Sequence, residues 1–589
     1  MSTLTWVLAG FLAFWLGLLA LRFQGRLPES VRFQGPFLTV HTRRGRALLD
    51  WLAAPKRLWR AWGNFGLGVA VVVMFGTVAY FVLNAVVVLQ NPPGIERLAQ
   101  PSYYLAVPGV NPFLPLEVAP EILFGLLAGL VVHEGGHGIL CRVEDIDVES
   151  MGLVFLSAIP MGAFVEPDEE SQENADRGAR ARMFAAGVTN NFAVAALALL
   201  LLFGPVIGSI GVASGAAVAG SVSPSPAADA GIDRGDVITG VGNRTVETNA
   251  ELDDVLAAIP DETVDVELKD GSTTSVERSV LVTGVIEGTP TNLSRGETVE
   301  RINDTPVTTR AGFLGALENR SVATVHTANN STTAAMGAYV GVVDGAPLNE
   351  SGAPTETLVV TAFDGERIVT DADLRDALSD TDPGDSATVV AYVNGERDTY
   401  ETTLSDRTGD GNGFLGVRIY AGTSGAVVSD FGVETYPAGC YLNVLGGDEE
   451  CSGLGGVPFS AQVIYVLFLP LMGLTGFSPA LPFNFAGFFG PVTNFYVVEG
   501  ALGALGGGVF LLANVLFWGA WMNINLGIFN CVPTFMLDGG HILRAVTEGV
   551  VSRLPIDDRR QLVSVVTVGL QLLMFTSLLV MVFGPSLLN

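Results

Sequence analysis

His133-Glu134-Gly135-Gly136-His137 lies inside the apolar run 122–141. On a helix, positions i and i+4 share a face, so the two imidazoles can hold one metal ion, and zinc suits such a pair. Glu134, between them, can take a proton from a water that the ion polarises. No charge interrupts 122–132. Ionisable side chains at membrane depth are costly and mark function. Two glycines inside a helix cost about 1 kcal/mol each relative to alanine. They permit close approach of another backbone, such as a substrate.

A catalytic zinc site commonly takes three protein ligands. The chain has five histidines: His41, His133, His137, His326 and His541. A second polar cluster follows a later apolar run. It reads Asn530-Cys531-Val532-Pro533-Thr534-Phe535-Met536-Leu537-Asp538-Gly539-Gly540-His541. Asp538 and His541 are both chemically able to complete the site.

Together the two clusters resemble the site-2 protease family of intramembrane zinc metalloproteases. That family pairs H-E-x-x-H on one membrane helix with N-x-x-P-x-x-x-x-D-G on a later one. Both patterns are complete here in His133, Glu134 and His137, then Asn530, Pro533, Asp538 and Gly539. The resemblance implies that Asp538 is the third ligand, that Glu134 is the general base and that His541 is not a ligand. A third family element, Gly-Pro-x-x-Asn-Phe, is matched by Gly187-Val188-Thr189-Asn190-Asn191-Phe192 without its proline. A fuller match, Gly490-Pro491-Val492-Thr493-Asn494-Phe495, stands out of the family's order. The resemblance covers roughly 120–208 and 505–545.

The elements that must position these residues are membrane helices. Mean hydropathy is +0.44. Apolar runs near 4–21, 64–89, 120–141, 183–208, 506–529 and 561–584 each suit a spanning helix of about 20 residues. The first lacks a basic leader and a small-residue cleavage site, so it is expected to be retained. Arginines crowd 22–60, 142–182 and 544–560, which the positive-inside rule places in the cytoplasm. The loop 90–119 then goes outside, and the zinc site lies near the cytoplasmic side. The apolar stretch 457–499 is broken by Pro470, Pro479, Pro482 and Pro491. It must cross twice, dip and return, or lie in the interface. Residues 150–166 suit either a β-hairpin beside the site, whose edge could receive an extended substrate, or an interfacial loop.

Despite this hydropathy, net charge is −29, with 60 acidic against 31 basic residues. Only two of the basic residues, Lys56 and Lys269, are lysines. This composition looks like a protein of a halophilic archaeon, whose carboxylates keep a surface hydrated in salt. It disfavours nucleic acid as a partner. Cys141 and Cys531 flank the proposed site as ligands or as small apolar groups. Cys440 and Cys451 fall in a Gly-rich loop where a disulfide is plausible.

Residues 212–456 are soluble in character and contain a repeat. Val246, Leu252 and Leu256 recur as Val307, Phe313 and Leu317, then as Ile368, Leu374 and Leu378, each 61 residues on (307 − 246 and 368 − 307). The first copy resembles a PDZ domain of the bacterial protease type; two or three such folds are expected. All seven N-x-S/T sequons, at Asn243, Asn292, Asn303, Asn319, Asn329, Asn330 and Asn349, fall here, in keeping with an extracytoplasmic location.

The expected architecture is a polytopic α-helical membrane protein with an inserted extracytoplasmic α/β PDZ-like region. Its parts are N-terminal helices and a basic loop (1–119), a first catalytic half (120–208), PDZ-like regions (212–283, 284–335, 336–407), a Gly-rich linker (408–456), the apolar segment (457–499), a second catalytic half (505–545) and a last helix (561–584). The expected function is zinc-dependent cleavage of a membrane-spanning protein substrate within the lipid bilayer of the cell membrane. One zinc is held by His133, His137 and Asp538, with Glu134 as base and Asn530 orienting the substrate or its oxyanion. The rivals are a catalytically silent adaptor built on peptide-binding modules, and a transporter, which would show inverted repeats.

Overall fold

A computed structural model describes the chain except residues 1, 2, 26, 27, 29, 35, 36, 43, 91–106, 112, 113, 157, 158, 287, 407–410, 450, 452, 453, 455, 456, 477 and 589. Most of the expected external loop 90–119 therefore lies outside the described residues. The chain forms two units. One comprises Met1–Gly211, Gly439–Phe489 and Val498–Asn589, and carries the membrane helices; the other comprises Val212–Ala438 and Gly490–Val497 and is rich in strands.

The helical unit contains α1 (Thr3–Phe23), α2 (Arg44–Leu52), α3 (Lys56–Gln90), α4 (Ala119–Val143), α5 (Arg177–Leu201), α6 (Gly508–Cys531), α7 (Asp538–Val551) and α8 (Arg559–Leu588). Among the described residues, five helical stretches are long and apolar enough to cross a membrane, namely those built on α3, α4, α5, α6 and α8. The chain is a multi-pass membrane protein. Helices α4, α5 and α6 pack pairwise into a core, α3 packs on α5, and α8 packs on α3. Glycines set how closely they approach. A Cβ on Gly125 would lie 2.8 Å from the Trp518 carbonyl oxygen, and one on Gly136 would lie 2.8 Å from that of Ala186. Small residues at helix crossings let backbones meet in this way. Gly136 thus admits α5, while Gly135 faces open space.

The hairpin expected at 150–166 is present as β3 (Val148–Leu156) and β4 (Ile159–Pro167). It is part of a larger sheet. Val31–Gln34 (β1) and Phe37–His41 (β2), within the basic stretch 22–60, extend it to four strands in the order β1-β2-β3-β4. Among the described residues β4 pairs only with β3, which leaves an edge.

Within 457–499 the longest α-helix among the described residues is Phe459–Phe468, ten residues, followed by the short helical turns Leu469–Leu471 and Met472–Thr475. The chain then doubles back, with the Phe485 N–H donating to the Leu469 carbonyl. Indole N–H groups on α6 secure it, Trp521 to Leu467 O at 3.1 Å and Trp518 to Ala486 O at 2.9 Å. Cys440 and Cys451 are disulfide-bonded.

In the strand-rich unit, three six-stranded sheets share one strand order. Their periodicity is the one in the sequence. Thr248, Thr309 and Thr370, again 61 apart (309 − 248 and 370 − 309), each cap a helix, accepting from the N–H of Glu251, Gly312 and Asp373. Val246, Leu252 and Leu256 lie in the first core, Val307, Phe313 and Leu317 in the second, and Ile368 and Leu374 in the third. The expectation of a linker at 408–456 needs correction. Val417–Ile419 pairs with Ala338–Val342 of the third sheet, Ala426–Ser429 with Val280–Val285 of the second, and Val433–Thr435 with Ala216–Ser221 of the first. The returning chain closes the three sheets in reverse order. Short strands beside turn residues conceal this in the sequence.

Candidate active site

Helix α4 brings His133 and His137 onto one face, one turn apart. Its start is set by Pro120 in the first turn with Glu121 beside it, and Arg142 stands in the last turn. Helix α6 stops at Cys531 because Pro533 forces Val532 into extended backbone (φ −65°, ψ 124°). The chain turns, and α7 begins at Asp538, a carboxylate in the first turn. Gly539 and Gly540 make that turn possible, since a Cβ would lie 2.4 Å from the Cys531 carbonyl oxygen and 2.0 Å from that of Thr534.

Three ligand atoms converge. His133 Nε2 lies 3.0 Å and His137 Nε2 3.2 Å from Asp538 Oδ2, and the two nitrogens are 3.1 Å apart. His133 and His137 are 5% and 8% exposed, so water does not satisfy them. Zinc bonded to such atoms at about 2.0–2.2 Å holds them about 3.3 Å apart. The donor set and its spacing fit a zinc ion. Asp538 lies beyond the spanning part of α6. Burial works to raise its pKa, but without a metal the two imidazoles, when they carry a proton on Nε2, outweigh this and hold the carboxyl below the ordinary carboxylate range, as an anion.

The outer nitrogens are also held. His137 Nδ1 donates to the Met183 carbonyl at 2.8 Å, which leaves Nε2 as the free lone pair. His133 Nδ1 lies 3.3 Å from the Asn191 side-chain amide, whose Oδ1 is buried without a partner. Turning that amide by half a rotation satisfies both groups and gives His133 the same tautomer. Gly187 is part of the site as well: a Cβ there would meet His137 Nε2 at 2.7 Å and His133 Cε1 at 2.8 Å. Glu134 Oε2 accepts the Val165 N–H of β4 at 2.9 Å.

Of the residues expected from sequence, His133, His137 and Asp538 come together. His541 does not join them; its ring stacks on Phe184 at 4.2 Å. Asn530 lies on α6, its amide donating to the Leu526 carbonyl at 3.0 Å. Cys141 and Cys531 are buried and not ligands of this group, with Cys141 Sγ 3.3 Å from Met183 Sδ. The match at 187–192 supplies Gly187 and Asn191 to the site. The fuller match at 490–495 belongs to the strand-rich unit, where Asn494 O accepts from Lys269 Nζ at 2.7 Å. The Met183 carbonyl and the Val165 amide carry no sequence signal, because any residue supplies them.

A multi-pass helical chain with two histidines and a carboxylate meeting at one buried point has the form of a membrane metalloprotease. The family model of peptidase family M50 matches residues 121–576, and the chain belongs to that family, the zinc-dependent site-2 proteases. It is also similar to uncharacterized protein MJ0971 of Methanocaldococcus jannaschii, at 28% identity over 173 residues. The match spans 29% of this chain and 44% of that relative.

Proposed function

We propose that this protein is an intramembrane zinc endopeptidase that cuts membrane-anchored proteins in or near a transmembrane segment. The observation that carries the reading is the meeting of His133 Nε2, His137 Nε2 and Asp538 Oδ2 within 3.2 Å of one another, next to Glu134. Zinc bound there would act as a Lewis acid on a peptide carbonyl and lower the pKa of water. Glu134 takes the proton from the attacking water and returns it to the leaving amine. Asn530 orients the substrate or its oxyanion.

A spanning helix hides its backbone, so the substrate must unwind before it is cut. The edge strand β4 can receive the unwound segment as an added strand. The Glu134 carboxylate, held by Val165, then faces that segment. Arginine-rich loops support a cytoplasmic placement of the zinc end. The first repeat of the three-sheet unit resembles a PDZ domain in sequence, and such a unit would screen which outer segments approach.

The test has two arms. Purified protein should carry about one zinc per chain, Asp538→Ala should lose it and His541→Ala should keep it. Glu134→Gln should keep zinc and fold, yet lose cleavage of a membrane-anchored substrate by on the order of 10²–10⁴-fold. Wild-type cleavage by Glu134→Gln would end the mechanism, and zinc loss only in His541→Ala would end the ligand assignment.

A further inference from the structure

The cytoplasmic-type loop ahead of α8 borders a cavity of about 880 Å³ within the helical unit. Four arginines line it: Arg177 at the start of α5, Arg544 on α7, and Arg559 and Arg560 at the start of α8. One carboxylate, Glu548, faces them, bonded to Arg544 Nε at 3.2 Å. Arg177 is turned to the Glu548 backbone carbonyl at 2.9 Å and Arg559 to the Leu554 carbonyl at 3.2 Å. Arg560 is exposed and has no side-chain partner among the described residues. A cavity with four positive charges and one negative is unusual in a chain of net charge −29.

The wall below the arginines is unusual too. Helix α8 is apolar enough to cross a membrane, yet it turns a polar stripe to this cavity: Arg560, Ser564, Thr567 and Gln571. The spacings of four, three and four keep these residues on one face. Thr567 and Gln571 are 7% and 5% exposed, and the Thr567 hydroxyl has no hydrogen-bond partner. A buried hydroxyl left without a partner costs free energy, so a stripe of this kind calls for an occupant. Val551, Val563 and Val568 line the same space.

Along α8 below the arginines the lining alternates, with Val563, Ser564, Thr567, Val568 and Gln571 following one another. A soluble anion would use the arginines but not the stripe. A phospholipid presents phosphate beside glycerol oxygens and hydrocarbon, and basic pockets between membrane helices hold such headgroups. We infer that this cavity binds a membrane phospholipid with an anionic headgroup, its phosphate among Arg177, Arg544, Arg559 and Arg560 and its glycerol oxygens at Ser564, Thr567 and Gln571. The inference stands apart from the peptidase reading. Gly540 and His541 also line the cavity, two and three residues past Asp538, so the lipid would brace α7 against α8.

The test is lipid retention by the full-length protein, read by native mass spectrometry after titration with phosphatidylglycerol or phosphatidylcholine in detergent. Phosphatidylglycerol should be retained and phosphatidylcholine not. The double variant Arg544→Gln/Arg560→Gln should bind about thirtyfold more weakly, at about 1 kcal/mol per arginine. Thr567→Val, which keeps every charge, should also weaken retention, and Arg553→Gln, outside the cavity, should not. Circular dichroism of each variant should match the wild type, and all substitutions but Thr567→Val are at exposed positions. Equal retention of both lipids, or unchanged binding in the double variant, would overturn the site. Competition by inorganic phosphate at the lipid's own concentration would reassign it to a soluble anion. Displacement by an acidic peptide with no loss in Thr567→Val would reassign it to a peptide segment.

Discussion

The carboxylate of Glu134 on α4 accepts the backbone N–H of Val165 on β4 at 2.9 Å. This ties the proposed base to the edge strand on which a substrate would be laid. A hydrogen bond to a charged acceptor contributes about 1.5–3 kcal/mol. Val165→Pro removes the donor, and proline is tolerated on an edge strand where the N–H points away from the ladder. Zinc content should be unchanged while cleavage falls by on the order of 10- to 100-fold. Val165→Ala, which keeps the N–H, should stay close to wild type. Equal rates in the proline and alanine variants would show that the amide does not position Glu134.

Asn191 should matter to metal affinity through His133. With the amide turned, its oxygen is the partner for the His133 Nδ1–H, and outer-shell partners of metal-bound histidines typically contribute 10- to 100-fold in affinity. Asn191→Leu should raise the zinc dissociation constant by about that factor, measured against a chelator of known affinity. Asn191→Asp, which retains an acceptor, should recover most of it. Tight zinc binding by Asn191→Leu would leave Asn191 as a packing residue.

The grouping of His133, His137 and Asp538 was legible in the sequence because a metal site would constrain residue type as well as spacing. His133 and His137 had to share a helix face, and Asp538 had to follow a helix stop, which Pro533 announces. The choice between Asp538 and His541 was not settled by the residue types; the turn through Gly539 and Gly540 decides it in the structure. Main-chain partners such as Met183 O were invisible, since every residue offers a carbonyl. The 61-residue repeat was legible because each copy caps its helix with a threonine and fills its core with the same apolar positions. The closing strands were not, because pairing between residues some 200 apart, such as Val433 with Ser221, leaves no local pattern.

Gly187→Ala should abolish metal binding without unfolding the chain. The added methyl would sit 2.7 Å from His137 Nε2, inside the space the ligand needs. Alanine is otherwise the better helix former. Zinc content should fall below detection while helical content by circular dichroism is kept. Gly135→Ala, where nothing lies within 4 Å, should keep its zinc. Full zinc occupancy in Gly187→Ala would mean that α5 stands farther from the histidines than the structure has it.

In the strand-rich unit, Asp430 lies between the second and third closing strands and pairs with the buried Arg278. It also accepts the Arg310 N–H at 3.0 Å. Arg278 further donates to the carbonyls of Leu256, Ile259 and Asp261. Removing one partner of a buried pair costs about 3–5 kcal/mol, because the other charge is stranded. Asp430→Ala should lower the unfolding midpoint of this unit in denaturant and leave zinc content untouched. A wild-type midpoint would mean that water reaches Arg278.

The last prediction concerns removal of that unit. A cut ending at 430 would leave Val433–Thr435 as a strand with no sheet, so the excision must run from Val212 to Ala438. A flexible linker then joins α5 to the disulfide-bonded segment that begins at Cys440. His133, His137, Glu134 and Asp538 all belong to the helical unit, so zinc content should persist. Residues Gly490–Val497 lose their partners, which include Lys269 and Gly235, and should become more open to protease. If the unit is a filter, the excised enzyme should cut a substrate with a large outer domain that the intact enzyme rejects. A substrate already trimmed should be cut by both. Unchanged preference would leave the unit as a spacer, and loss of zinc would show that the helical core depends on it.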